Sequence, residues 1–146
     1  MRTAAEPASG ASARPLTDEE VQALRPYIPQ ADLENVRIHD GVVPRYLPRR
    51  YIGIARGNHV YFRPGTYTPR TAKGLALLGH ELVHVGQYRR GATWLSFLLS
   101  YARHGYRDSP LEIAARSVQQ RIARDLAAAG HACDGHLADS HRPADA

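Results

Sequence analysis

The sequence predicts an α+β protein, in which a small antiparallel sheet packs against one long helix and a helical C-terminal half follows. Three observations lead to this fold class. Residues 35–39 alternate apolar and polar side chains, and residues 51–55 and 59–62 are rich in β-branched and aromatic types, which indicates three short strands. A capped run at residues 68–88 has an almost wholly apolar second half, as buried helices do. Further apolar-periodic runs follow it, and these predict helices.

The N-terminal third is predicted to hold a leader, a short helix and the strands. Residues 1–15 are rich in alanine, serine, glycine and proline, which favours a disordered leader. Thr17 and Glu20 form a capping-box pattern, which indicates the start of a helix. The last two strands are separated only by residues 56–58, so we expect them to form a β-hairpin.

Three helices are predicted for the remainder. Thr68 and Pro69 supply an N-cap and a proline in the first turn of the long helix, which should end near Tyr88. Residues 94–101 are apolar enough for a second helix but too few to span a bilayer. A last helix is expected at residues 109–130, where a proline follows a serine at the start and a glycine ends the run.

Length and composition fit one ordinary globular domain. The chain has 146 residues, of which 43% are hydrophobic and 23% charged. We place the domain at residues 16–130, between the leader and a flexible polar tail at residues 131–146. No stretch of apolar residues is long enough to span a membrane, and the start has no apolar signal segment, so a cytoplasmic location is expected. The protein is also expected to be a monomer. The single cysteine, Cys133, cannot form an internal disulfide.

Positive charge is concentrated in the middle of the sequence. Residues 45–124 contain thirteen arginines and Lys73 but only three acids, Glu81, Asp108 and Glu112, which leaves a net charge of +11. A basic face attracts anionic partners in general. No aromatic-interleaved basic motif accompanies it, so nucleic acid is not expected as a partner. Because acids are so rare here, each one is a candidate functional group.

The stretch GHELVHVGQ at residues 79–87 places two histidines four positions apart on the predicted buried helix. His80 and His84 therefore leave one helix face with Cβ atoms about 5–6 Å apart. This spacing lets both imidazoles bind one zinc ion. Glu81 can flank the ion and accept a proton from zinc-bound water. Metal binding would also explain why such polar groups lie in an apolar helix, where they are costly to bury.

A catalytic zinc site needs a third protein ligand and an open fourth position. The extended pattern H-E-x-x-H-x-x-G-x-x-H is excluded, because Gln87 and Arg90 stand where it requires glycine and histidine. The downstream candidates are His104, Asp108 and Glu112. Glu112 ranks first, since it lies in the first turn of the last helix, although a capping box there would also account for it. Gln87, three residues after His84, is expected to orient a metal ligand, and the alternative is that it only caps the helix.

The segments LLGHELVHVGQYRRG and YRDSPLEIAARS together resemble the metallopeptidase-like core domain of extracellular contractile injection systems. More broadly, the pair is similar to the small gluzincin-type zinc peptidases of bacteria. The resemblance implies a zincin-like fold, zinc ligands at His80, His84 and Glu112, and a catalytic base at Glu81. The chain departs from the family pattern at Ser109, where asparagine is common, and at Ala114, where a second acid often appears. The missing acid removes a rival ligand, and such an acid can also support the metal ligands from outside.

These residues predict a zinc-dependent metallopeptidase that hydrolyses peptide bonds through a zinc-bound water activated by Glu81. A donor must also stabilise the oxyanion, and Tyr106, His104 and Arg107 are candidates because they precede the helix of the third ligand. The polypeptide substrate is expected to pair with an exposed sheet edge, at the strand of residues 59–62.

The alternative is a non-catalytic module in which zinc joins two helices and the basic face binds a larger protein assembly. The small size, the +11 segment and the resemblance to injection systems motivate this alternative. The expected partners are thus a polypeptide substrate or a bacterial secretion or injection assembly. Export by such a system is the alternative to a cytoplasmic location.

Overall fold

The computed structural model describes residues 13–131, and in this range it contains five helices and three strands. In chain order these are α1 (Asp18–Leu24), α2 (Gln30–Leu33), β1 (Arg37–Asp40), β2 (Gly53–Arg56), β3 (His59–Phe62), α3 (Ala72–Arg89), α4 (Trp94–His104) and α5 (Pro110–Ala128). The α+β class and the helical C-terminal half are confirmed. Most of the predicted leader and tail, including Cys133, lies outside the described residues, and the domain limits stay predictions. No helix within residues 13–131 is long and apolar enough to cross a membrane.

The sheet is mixed, with strand order β1-β3-β2. β2 and β3 pair antiparallel, as predicted for the hairpin, and their two-residue connection contains Gly57 with φ of +61°. β1 pairs parallel with β3, so the expected antiparallel sheet holds for one of the two pairs only. After β1 the chain crosses to the far edge before it enters β2, which places β3 in the centre.

The strand predicted to receive a substrate is not an edge strand. β3 is paired on both sides, so the prediction that residues 59–62 bind an extended chain is wrong. On the outer side of β1, Arg14 exchanges two backbone hydrogen bonds with Ile38, at 3.0 and 2.7 Å. Among the described residues, the unpaired edge of the sheet is therefore β2.

The hydrophobic core lies between the sheet and α3. Leu78 and Leu82 of α3 are fully buried, together with Ile38, Val60 and Phe62 of the sheet. Full burial of each such side chain contributes about 1.5–3 kcal/mol to folding. This contact fixes α3 against the sheet.

α5 packs along α3 and approaches it closely at Gly79. A Cβ atom added to Gly79 would lie only 2.3 Å from Cδ1 of Ile122, which is itself fully buried. The absence of a side chain at Gly79 thus allows the short distance between the two helices. This packing brings the first turn of α5 toward the middle of α3.

A buried carboxylate fixes α1 to the rest of the fold. Glu20 is 1% exposed and accepts hydrogen bonds from Arg14 at 2.7 Å, from the backbone N–H of Thr17 at 2.8 Å and from the hydroxyl of Tyr67. Burial alone would raise the pKa of Glu20, but these donors outweigh it and the pKa is lowered. Arg14, which was predicted to lie in the leader, thus contacts the packed domain.

Candidate metal centre

Three reactive side chains project from the second half of α3. His80, Glu81 and His84 are 8%, 5% and 6% exposed. The helix is capped by Thr71, whose hydroxyl accepts from the N–H of Gly74 at 2.9 Å, so its N-cap lies three residues after the predicted one, Thr68. The spacing of four residues places both imidazoles on one side of the helix, with ring centroids 5.0 Å apart.

Glu112 reaches the same point from the first turn of α5. It is 2% exposed, and its Oε2 and Oε1 atoms lie 3.2 Å from Nε2 of His80 and 3.1 Å from Nε2 of His84. The candidate ligand atoms of the three residues all lie within 4.8 Å of one another. The structure therefore brings together, from two helices, the three side chains that were predicted as metal ligands.

Two glutamines bind the Nδ1 atoms of the imidazoles, on the side away from Glu112. Oε1 of Gln119 lies 2.8 Å from Nδ1 of His80, and Oε1 of Gln87 lies 2.8 Å from Nδ1 of His84. Because an amide oxygen can only accept, both Nδ1 atoms donate to the glutamines, and both Nε2 atoms are directed at the carboxylate. The amide orientation of Gln87 is fixed independently, since its nitrogen donates to the carbonyl of Leu111 at 3.1 Å. Such outer-shell bonds are usual for metal-binding histidines.

The donor set fits a zinc ion. Two imidazole nitrogens and one carboxylate are common ligands of zinc, and in catalytic sites they leave a fourth position open. Oε2 of Glu112 is buried and accepts no hydrogen bond within the described range. Its neighbour at 3.2 Å is Nε2 of His80, the ring nitrogen that does not face Gln119. A buried carboxylate oxygen without a donor is costly, and a cation at this point would satisfy it.

The charges around the carboxylate also favour a cation. Burial alone would raise the pKa of Glu112, but the two imidazoles and the hydroxyl of Tyr101 outweigh it, so the pKa lies well below its usual range. Burial disfavours a charge on His84, yet Glu112 and Glu81 raise the pKa of His84 nevertheless. The site is therefore one in which positive charge is stabilised.

Glu81 lies beside the candidate ligands and against the sheet. Burial raises the pKa of Glu81, and the neighbouring His84 and His80 oppose this only in part. The backbone N–H of Ala55, on the edge strand β2, donates to the carboxylate. A carboxyl group with a raised pKa is a stronger base than an exposed one, which suits the role of a general base.

Tyr101 belongs to the site although sequence reasoning assigned it only to an apolar helix. Its hydroxyl donates to Oε1 of Glu112 at 2.7 Å. One turn earlier, Phe97 packs edge-on against the ring of His84 at a centroid distance of 5.3 Å. The inner face of α4 therefore covers the candidate metal centre. A tyrosine in an otherwise apolar run was the only signal in the sequence for this role.

Of the predicted oxyanion donors and alternative metal ligands, the structure places only Tyr106 at the cavity. Tyr106 lies between α4 and α5, lines the cavity next to Glu81, and has its ring 5.2 Å from those of both Tyr51 and Tyr101. Burial raises the pKa of Tyr106, so its hydroxyl stays protonated. The remaining candidates are exposed and do not line the cavity: His104, Arg107 and Asp108.

A cavity of about 430 Å³ opens over the candidate metal centre and Glu81. Its wall is mainly aromatic and aliphatic, and includes Tyr46, Leu47, Tyr51, Ile54, Tyr88 and Leu98. The guanidinium of Arg63 holds one side of this wall by donating to the backbone carbonyls of residues 51, 47 and 48, at 2.6, 3.0 and 2.9 Å. The volume is in the range of ordinary small-ligand sites.

The family model described as the eCIS core domain matches residues 15–92, which is slightly more than half of the 146 residues. The matched range includes α1 to α3 with His80, Glu81 and His84, and it ends before Glu112. The curated proteins and the solved structures give no significant match. The resemblance to the core domain of extracellular contractile injection systems is confirmed, and the chain belongs to that family.

Proposed function

We propose that this chain is a zinc-dependent peptidase, and the observation that carries the proposal is the convergence of α3 and α5. Two Nε2 atoms and a carboxylate meet there, and both Nδ1 atoms are held by glutamines. A buried glutamate adjoins them at the wall of a cavity. Two histidines, a third ligand and a separate glutamate are the groups that metal-assisted hydrolysis of a peptide bond requires.

His80, His84 and Glu112 would hold the ion. When bound, zinc supplies a Lewis acid that polarises a carbonyl group and makes water more acidic. The two glutamines keep the imidazole lone pairs directed at the ion. Tyr101 occupies Oε1 of the carboxylate, which leaves Oε2 as the oxygen free to coordinate.

Glu81 is the proton carrier of the proposed reaction. Its carboxylate takes a proton from the attacking water as the bond from the water oxygen to the carbonyl carbon forms. It then passes this proton to the amine nitrogen as the carbon–nitrogen bond breaks. The raised pKa of Glu81, which results from its burial, makes its carboxylate a stronger base and so supports this exchange.

Tyr106 is the best-placed donor for the oxyanion. Its side chain lines the cavity, and its residue is 39% exposed, so a substrate can reach the hydroxyl. The hydroxyl of Tyr101 is already engaged with Glu112. The raised pKa of Tyr106 keeps its proton available for donation.

The proposed substrate is a polypeptide with a bulky apolar side chain near the bond that is cleaved. β2 borders the cavity through Gly53, Ile54 and Ala55, and it is the unpaired edge of the described sheet. An extended peptide can add to such an edge by backbone hydrogen bonds. The aromatic and aliphatic wall of the cavity then favours an apolar side chain.

The proposal is tested by measuring zinc content and cleavage of a peptide library for the wild type and two variants. Glu81→Gln should keep the zinc and lose at least about 100-fold in cleavage rate, the usual contribution of a general base. Glu112→Ala should lose both zinc and activity. Glu34→Gln, at an exposed acid, is the control and should change neither. Equal cleavage by Glu81→Gln, or a wild type that binds no zinc, would refute the proposal.

A second candidate function is a non-catalytic, zinc-stabilised component of an injection assembly. Membership of the eCIS core-domain family favours a place in a larger complex, and it supports delivery by an injection system. In this case the wild type would bind zinc, and chelation would lower its melting temperature, but the zinc-loaded protein would cleave no peptide. The cleavage measurement therefore separates the two functions.

A further inference from the structure

α4 exposes an apolar face. Its exposed apolar residues, here called the α4 patch, are Trp94, Leu95, Leu98, Leu99 and Ala102. The tryptophan and the three leucines are 56%, 49%, 52% and 61% exposed. At 100° per residue, the α4 patch forms one continuous arc of about 140° around the helix. A surface helix normally presents its polar side to water, so this arrangement indicates a binding surface.

Positive charge accompanies the α4 patch. Residues 82–107, which include all of α4, contain four arginines and no acidic residue. Arg103 is exposed on the last turn of α4, and Arg107 is exposed in the following loop. Arg89 and Arg90 precede the helix and remain about half exposed, although both also contact Asp32. The charge near the α4 patch is therefore complementary to an anionic surface.

We propose that the α4 patch binds an anionic lipid surface, with α4 lying in the plane of the interface. A single amphipathic helix with tryptophan and leucine on one face and arginine beside them is sufficient for such binding. A stable interface with a protein, including a second copy of this chain, needs about 20–30 residues a side. The α4 patch offers five, so its size favours lipid.

The position of the α4 patch connects this surface to the cavity. Leu98 belongs to the patch and also lines the cavity, and Phe97 and Tyr101 contact the candidate metal centre from the inner face of the same helix. Binding through the patch would place the cavity mouth next to the lipid headgroups. The inference itself does not depend on zinc or on peptidase activity.

Trp94 is the only tryptophan of the chain, so its fluorescence reports on the α4 patch directly. The experiment adds vesicles of phosphatidylcholine alone, or of phosphatidylcholine mixed with phosphatidylglycerol, to the full chain. The mixed vesicles should shift the emission of Trp94 to the blue and carry the protein along in flotation. Arg103→Gln should weaken this binding about fivefold.

The double variant Leu95→Glu and Leu99→Glu should lose at least about tenfold in vesicle affinity. Burying even one leucine side chain contributes enough binding free energy to change the affinity about tenfold. Both residues are exposed and line no part of the cavity, so the fold should be kept, as circular dichroism would verify. The control is Ile113→Glu, which places one glutamate on an apolar residue of α5 that is 50% exposed, and it is compared with the single variant Leu99→Glu. The control should bind vesicles like the wild type.

Three outcomes would overturn the proposal. The first is the absence of a blue shift and of flotation with the mixed vesicles. The second is an equal loss of binding in the control, which would assign the effect to charge alone. The third is a blue shift that occurs without lipid, either as the protein concentration rises or when polyglutamate is added, because a second copy or an acidic polypeptide would then be the occupant.

Discussion

Replacing Gln119 by leucine removes the amide oxygen that lies 2.8 Å from Nδ1 of His80, while it keeps a side chain of similar size. The imidazole then loses the acceptor that fixes its tautomer and its orientation. Removal of such an outer-shell partner typically weakens metal binding about 10–100-fold. Gln119 is only partly buried, so the fold should tolerate leucine at this position.

Gln87 provides a matched comparison, because it makes the same kind of bond to Nδ1 of His84 and one bond more. Its amide nitrogen donates to the carbonyl of Leu111, at the start of α5. Gln87→Leu should therefore weaken zinc binding by a similar 10–100-fold. In addition, it should lower the free energy of unfolding of the zinc-free protein by about 1 kcal/mol, the usual value of one hydrogen bond. For a protein of this size that is a decrease of about 4 °C in melting temperature.

The assay is competition for zinc against a chromophoric chelator, followed by thermal melts in excess EDTA. The control is Gln120→Leu, which changes an exposed neighbour. Wild-type zinc affinity in Gln119→Leu would refute the outer-shell role of this glutamine. Equal melting of the two variants in EDTA would show that the bond between Gln87 and Leu111 contributes nothing to stability.

Two further predictions concern the fold. Gly79→Ala should destabilise the protein by about 1–3 kcal/mol in urea unfolding, because the new Cβ would lie 2.3 Å from Cδ1 of Ile122. Ile122→Val removes that atom, so the double variant Gly79→Ala with Ile122→Val should be as stable as Ile122→Val alone. If the losses in free energy of unfolding of the two single variants simply add in the double variant, the reasoning is contradicted. The pKa of Glu20 is lowered by folding, so the stability it contributes is present above its unfolded pKa and is lost as the pH falls toward its folded pKa. Between pH 7 and pH 3, the melting temperature of Glu20→Gln should fall less than that of the wild type. The same dependence of melting temperature on pH in both proteins would contradict this.

The sequence was informative where local geometry decides the outcome. The spacing of His80 and His84 places both on one helix face in any α-helix, so their proximity follows directly. The hairpin follows from a very short connection between two strand-forming runs. Glu112 was ranked first by the scarcity of acids around it and by its place in a helix turn. In each case a short segment was sufficient for the inference.

The remaining features depend on contacts between distant segments. The parallel pairing of β1 with β3 is set by the path of the chain from residue 40 to residue 53, which has no regular pattern. The roles of Gln119 and Tyr101 appear only once α4 and α5 pack against α3. Gln119 lies seven residues after Glu112, hence on the same helix face, and this spacing is the one signal that could have identified it.

The family match and the candidate metal centre occupy different parts of the chain. Residues 15–92 include both histidines and Glu81, whereas Glu112 and its supports on α4 and α5 lie beyond them. Two imidazoles alone leave a zinc site without its third ligand. In this chain, therefore, the residues that match the family form the core between sheet and helix but do not complete the candidate metal centre. The proposed zinc binding of this chain thus depends on its C-terminal helices, where α4 also carries the proposed lipid surface.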